Sequence, residues 1–127
     1  MTGFIVFAHG SRIESANQAV RDVAAQMAAS GGHTVESAFL ELGKPDLTGA
    51  VQRLTAVGVT HIIVIPYFLT LGTHLQRDLP RLVQAAALSC GSDIQLEVTP
   101  PLDGHPALLD ALLDRASHAL AGERQPR

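Results

Sequence analysis

Four short apolar runs alternate along this chain with stretches of helical spacing, and that alternation constrains the fold more than any other feature. The runs are residues 4–8, 34–40, 61–68 and 94–98. At these lengths they read as strands. After the first, Ala16, Ala19, Val20, Val23, Ala24 and Met27 recur at the spacing of one helix face, with Asn17, Arg21, Asp22 and Gln26 opposite, and Ser30-Gly31-Gly32 ends the pattern. After the second, Leu47, Ala50, Val51, Leu54 and Val57 repeat it, with Asp46 as N-cap and Gly58 as the stop. Leu79, Leu82, Val83 and Ala86 follow the third, where Asp78 reads as a cap and Pro80 falls in the first turn. Leu108, Leu109, Leu112, Leu113, Ala116 and Leu120 make the last helix, opened near Asp103 and Pro106.

Strand and helix in strict alternation predict an α/β fold with a parallel sheet, since a parallel crossover needs a helix and right-handed crossovers put helices on both faces. The near-continuous apolar character of the strands agrees with burial on both sides. The expectation is one small doubly wound domain over residues 1–120, with 121–127 a disordered tail. Its 127 residues, 46% hydrophobic and 17% charged, suit a single packed domain. Nine Lys and Arg against twelve Asp and Glu leave a formal charge of −3, which gives no overall basic field for nucleic acid or an anionic membrane. Cys90, the sole cysteine, has no internal disulfide partner and fits a reducing cytosol. Neither residues 4–8 nor the run at 62–69 is long enough for a signal-peptide core or a bilayer span, so the expected location is cytoplasmic.

In a doubly wound sheet ligands bind beyond the carboxyl ends of the strands. The first run ends on His9, the second runs into Glu41, and the third runs into the loop Thr70-Leu71-Gly72-Thr73-His74. Two imidazoles and one carboxylate suit a borderline divalent ion and leave coordination positions open. Each residue also has an ordinary reading: a loop residue or helix cap for His9 and His74, a solvated carboxylate for Glu41. His61 begins the third run, at the opposite edge, and reads as structural or exposed; His105 reads as a helix initiator. Arg12, Lys44 and Arg77 are the basic residues on the carboxyl edge, available for ligand carboxylates or simply solvated. Tyr67, Phe68 and Leu69 to Leu71 would give a pocket apolar walls. No dinucleotide or Walker loop is present, and Ser11 lacks the Gly-x-Ser-x-Gly elbow of a nucleophilic serine.

The segments Ala8-His9-Gly10-Ser11-Arg12, Ala38-Phe39-Leu40-Glu41 and Pro66-Tyr67-Phe68-Leu69-Thr70-Leu71-Gly72-Thr73-His74, with Asp78-Leu79-Pro80, resemble the class II tetrapyrrole chelatases, in particular the short sirohydrochlorin cobaltochelatase and ferrochelatase group. The resemblance runs from the first strand to about Arg115 and takes in Gly104-His105-Pro106. It implies a flavodoxin-like three-layer sandwich with a four-stranded parallel sheet. It also implies a lyase that inserts Co²⁺, or Fe²⁺ or Ni²⁺, into sirohydrochlorin for cobalamin or sirohaem synthesis, with the metal as substrate and no nucleotide cofactor. His9 and His74 would hold the metal and Glu41 would assist as ligand or base; Ser11, Arg12, Phe68, Leu69, Gly72 and Thr73 would meet the tetrapyrrole. Longer relatives carry two such domains and short ones are homodimers, so a homodimer is expected here, because an open macrocycle site on one small domain leaves a large apolar surface in water. Two other functions compete: a metal or tetrapyrrole carrier without turnover, and a phosphatase suggested by His9-Gly10-Ser11-Arg12. The latter's motif normally has an arginine before its histidine, where this chain has Ala8.

Overall fold

The computed structural model describes residues 1–91 and 93–123. β1 (Thr2–Ala8) pairs in parallel with β2 (Thr34–Phe39) on one side and β3 (His61–Pro66) on the other, and β4 (Gln95–Val98) adds to β3. The sheet order is β2-β1-β3-β4. All four expected strands are present and parallel, which makes the predicted α/β sandwich the observed one. A strand paired on both edges and covered on both faces is apolar along its buried length, and Ile5, Val6, Phe7 and Ala8 of β1 are all buried, with the polar Thr2 at its exposed start. Burying a side chain the size of Phe7 contributes on the order of 1.5–3 kcal/mol.

The chain passes from β1 outward to β2 and then returns to β3, so the direction of winding reverses between β1 and β3. That reversal opens a crevice beyond the carboxyl ends of β1 and β3. On one face, α2 (Leu47–Ala56) and α3 (Thr73–Cys90) close the main core, in which Leu47, Val51, Leu54, Leu79 and Val83 meet Ile5, Phe7, Ile62 and Val64. On the other, α1 (Glu14–Gly31) packs Val20 and Ala24 on Val6, Ala8 and Phe39. Asp46 caps α2 as expected, accepting a hydrogen bond from Gly49 N–H at 2.8 Å.

Several boundaries differ from the sequence reading. β2 stops at Phe39 and β3 at Pro66, since the residues beyond them bend into loops. α3 starts at Thr73, not at Asp78, and its N-cap is Gly72 in extended conformation, with Gln76 N–H bonded to the Gly72 carbonyl at 2.9 Å. Pro80 therefore sits inside α3, on its exposed side, where the helix forgoes one N–H. On α1 the buried stripe is Asn17, Val20 and Ala24, while Ala16 and Ala19 are exposed. The helix is turned relative to its apolar spacing because Asn17 is drawn inward by backbone groups that need partners.

α4 (Pro106–Glu123) runs on into the segment expected to be a tail, and the rest of that segment, residues 124–127, lies outside the described residues. His105 opens α4 by accepting the Ala107 N–H on Nδ1 at 3.0 Å. α4 makes no extended contact with any other element, and Leu109, Leu112, Leu113 and Leu120 are exposed along it. No described helix is long and apolar enough to cross a membrane.

Candidate metal and tetrapyrrole site

The ladder between β1 and β2 does not end with the strands. Leu40 N–H donates to the Ala8 carbonyl at 2.9 Å and Glu41 N–H to the His9 carbonyl at 3.0 Å, so the two strand tips leave the sheet side by side. Gly10 makes this possible. Its φ of +95° is one that L side chains rarely adopt, and a Cβ there would stand 1.7 Å from the Glu41 carbonyl oxygen. Backbone packed this closely brings His9 Nε2 to 3.7 Å from Glu41 Oε1, with both side chains more than half exposed.

A donor pair at that separation spans a single divalent ion. With bonds of about 2.0–2.2 Å to nitrogen and oxygen, the angle at the metal is about 120°. Water reaches both groups, so an ion held between them keeps open positions for other ligands.

Next to this pair lies a cavity of about 720 Å³, within the size range of small-molecule sites. His9, Leu40 and Phe68 line it from the strand ends, and Gly72, Thr73, His74, Leu75, Asp78, Arg81 and Leu82 from the start of α3. Phe68 stands edge-on to both Phe7 and His9, with ring centroids 6.4 and 6.5 Å away, and joins the core to the site. The loop after β3 is held from outside, since Leu102 N–H donates to the Phe68 carbonyl and Asp103 N–H to that of Leu69.

Of the expected site residues, His9, His74, Phe68, Gly72 and Thr73 line this one cavity. Glu41 does not line it and joins the site through His9. The three proposed metal ligands form no single converging cluster; among the described residues no three His, Cys, Asp or Glu side chains do. Ser11 is engaged locally, its Oγ accepting the Ile13 N–H at 3.0 Å. Arg12 is exposed and does not line the cavity, and Leu69 lines a separate one beside α4. Arg77 Nη2 approaches His74 Nδ1 at 3.4 Å, so it flanks an imidazole. His61 is paired with Glu97 at 2.6 Å on the far edge of the sheet, in keeping with its structural reading.

Asp78 and Arg81 supply the cavity with charge that the sequence reading had not assigned to it. The signal was present: His74, Asp78 and Arg81 are spaced to share one face of a helix that begins at Thr73. Reading Asp78 as a cap hid that register.

A family model, CbiX, matches residues 3–119 of this sequence. The chain belongs to the CbiX family. Among curated proteins it is similar to the chloroplastic sirohydrochlorin ferrochelatase of Arabidopsis thaliana, 33% identical over 94% of this chain and 53% of that protein. It is similar also to the sirohydrochlorin cobaltochelatase of Methanopyrus kandleri, 27% identical over 97% of this chain and the whole of that protein. Among solved structures, the sirohydrochlorin chelatase SirB from Bacillus subtilis subspecies spizizenii, in complex with cobalt, superposes with a TM-score of 0.83 at 25% identity, over 92% of this chain and 50% of that one. The chain thus spans about half the length of the Arabidopsis protein and of SirB, and all of the Methanopyrus protein. The resemblance read from the sequence to class II chelatases agrees with this membership.

Proposed function

We propose that this chain is a sirohydrochlorin chelatase, a lyase that inserts Co²⁺, with Fe²⁺ or Ni²⁺ as the other candidates, for cobalamin or sirohaem synthesis. The observation that carries the reading is the pair of imidazoles, His9 and His74, on the wall of one cavity at the carboxyl edge of a CbiX-family sheet. The metal is a substrate, and neither nucleotide nor nucleic acid has a part in the reaction.

Metal insertion exchanges the ion's ligands one at a time for ring nitrogens and removes two pyrrole protons. A site of four convergent protein ligands would hold the ion against that exchange. His9 with Glu41 offers two donors at a distance that fits one ion, and His74 offers a third from the α3 side of the cavity. An imidazole nitrogen binds either a metal ion or a proton through the same lone pair, so the group that releases the ion is also suited to accept a pyrrole proton. Phe68, Leu40 and Leu75 give the macrocycle an apolar wall, with Gly72 and Thr73 at its rim. Arg81 is the cavity's cation for a substrate carboxylate, with Arg12 and Ser11 on the neighbouring loop and Leu69 beyond it.

A single domain over residues 1–120, acting in the cytoplasm as a homodimer, completes the reading. The exposed leucines of α4 and the half-buried Ile63 and Ile65 on the sheet support a second copy as what covers them. So does the match to half of the Arabidopsis protein.

The test is anaerobic mixing of protein, sirohydrochlorin and each of Co²⁺, Fe²⁺ and Ni²⁺, followed by tetrapyrrole absorbance. Acceleration is expected, with His9→Ala and His74→Ala each slowing it by at least the roughly tenfold to hundredfold that loss of a ligand's outer partner costs. Equal rates with and without protein refute the reading. Tight binding without acceleration assigns a carrier instead.

A further inference from the structure

Asn17 is only 1% exposed, on a helix whose neighbouring turn is solvated. It does not cap α1, whose N-cap is Ile13 with no side-chain bond. Its amide spans two loops. Oδ1 accepts the Ser11 N–H at 2.9 Å and Nδ2 donates to the Ser11 carbonyl at 2.8 Å, so the side chain pairs with Ser11 as a neighbouring strand would. Nδ2 also donates to the Leu42 carbonyl at 2.9 Å. Leu42 has φ +57°, the left-handed region that a branched side chain enters at a cost, and its carbonyl is turned toward Asn17 in that conformation.

Ser11 lies two residues beyond His9, and Leu42 one beyond Glu41. The geometry points to Asn17 as a positioning residue that holds the His9 imidazole and the Glu41 carboxylate at metal-bridging distance by tying their loops together through one buried amide. This rests on the chelatase reading of that pair. A carboxamide is the side chain that accepts from one backbone group while donating to two others. Neither an aliphatic nor a carboxylate isostere does so, and the residue-17 side chain, 1% exposed, has no water to turn to if left unpaired. Asn17 touches neither the cavity nor the pair itself, so it acts only through loop geometry.

The experiment is a double-mutant cycle in the full chain. Asn17→Asp keeps the acceptor and loses the bonds donated to the Ser11 and Leu42 carbonyls, together with the longer 3.5 Å contact to Glu14 Oε2, and Asn17→Ser, too short to reach Leu42, is the second variant. Each is made in the wild-type and Glu41→Gln backgrounds and assayed where thermal melting shows it folded. Cobalt affinity is measured by titration and metal insertion by absorbance. In the wild-type background both substitutions are expected to weaken cobalt binding and lower kcat by about tenfold or more, the scale of outer partners of metal ligands. KM for the tetrapyrrole stays within about twofold. In the Glu41→Gln background the same substitutions are expected to cost less than about twofold, because the pair they serve is already broken.

Equal losses in both backgrounds, unchanged cobalt affinity in folded variants, or failure of both variants to fold overturns the assignment and leaves Asn17 a part of the core alone. Wild-type protein without metal insertion would remove the proposed function instead. The cobalt titrations would then still decide whether Asn17 couples to Glu41.

Discussion

Gly10 and Gly58 share a φ of +95°, and that coincidence separates backbone strain from collision. An alanine Cβ at Gly58 meets nothing within 4 Å, whereas at Gly10 it lies 1.7 Å from the Glu41 carbonyl oxygen and 2.9 Å from its carbon. Gly58→Ala thus carries only the cost of positive φ, about 1–2 kcal/mol, partly offset by about 0.4–1 kcal/mol from a less flexible unfolded chain. A net loss of about 1 kcal/mol follows. Gly10→Ala carries the same cost, and in addition the Glu41 backbone must retreat by more than about 1 Å. That movement ends the bond from Glu41 N–H to the His9 carbonyl, worth about 0.5–1.5 kcal/mol. Overpacking adds about 1–3 kcal/mol, for a total near 3 kcal/mol or more.

At about 3–5 °C per kcal/mol for a domain of this size, Gly58→Ala is expected to lower Tm by about 4 °C and Gly10→Ala by about 10 °C or more. The assay is thermal melting by circular dichroism, with cobalt insertion measured on the same samples well below Tm. Gly58→Ala should keep full activity. Gly10→Ala should lose most of it, because Glu41 leaves His9. Equal Tm losses, or full activity in Gly10→Ala, would refute the close-approach argument.

Replacing the cap in Asp46→Ala should cost about 1 kcal/mol and leave metal insertion unchanged, read as a small fall in Tm at constant turnover. For the proposed homodimer, Leu112→Glu on the exposed face of α4 should shift the sedimentation equilibrium from dimer to monomer mass; a monomeric wild type would remove the homodimer, and a variant that stays dimeric would count against α4 as the contact. The Glu14 carboxyl is held below its ordinary value, first by the hydrogen bond from Arg21 and then by that from Asn17. A folded-state pKa that is depressed contributes stability above the unfolded carboxylate pKa of ~4.3, and that contribution is lost as pH falls through the lower folded value. Glu14→Gln should therefore bring Tm closer to constant across this acid window; because the group is exposed, the change is small, and an unaltered acid profile would contradict it.

How much of this was legible depends on the range over which each cause acts. The four strands and the α/β class were readable because apolar runs and helical periods are local patterns repeated along the chain. Asp46 was readable as a cap because its partner lies three residues away. His9, Phe68, Gly72, Thr73 and His74 were readable as companions because the fold class brings strand ends to one edge. The start of α3 was missed because Asp78 imitates a cap and Pro80 imitates a first turn, while packing of Leu75 and Leu79 carries the helix back to Gly72.

Asn17 was misread for a deeper reason. Its type and spacing place it on a polar face, and only the meeting of two loops, one 25 residues away at Leu42, turns that face inward. The local chain thus determined the elements, their order and the edge at which chemistry gathers, since those follow from periodicity and from the handedness of crossovers. The tertiary structure alone decided the 3.7 Å spacing of His9 and Glu41, the burial of Asn17 and the place of Asp78 and Arg81 in the cavity. Those are contacts between segments remote in sequence, set by backbone groups that must find partners once water is excluded.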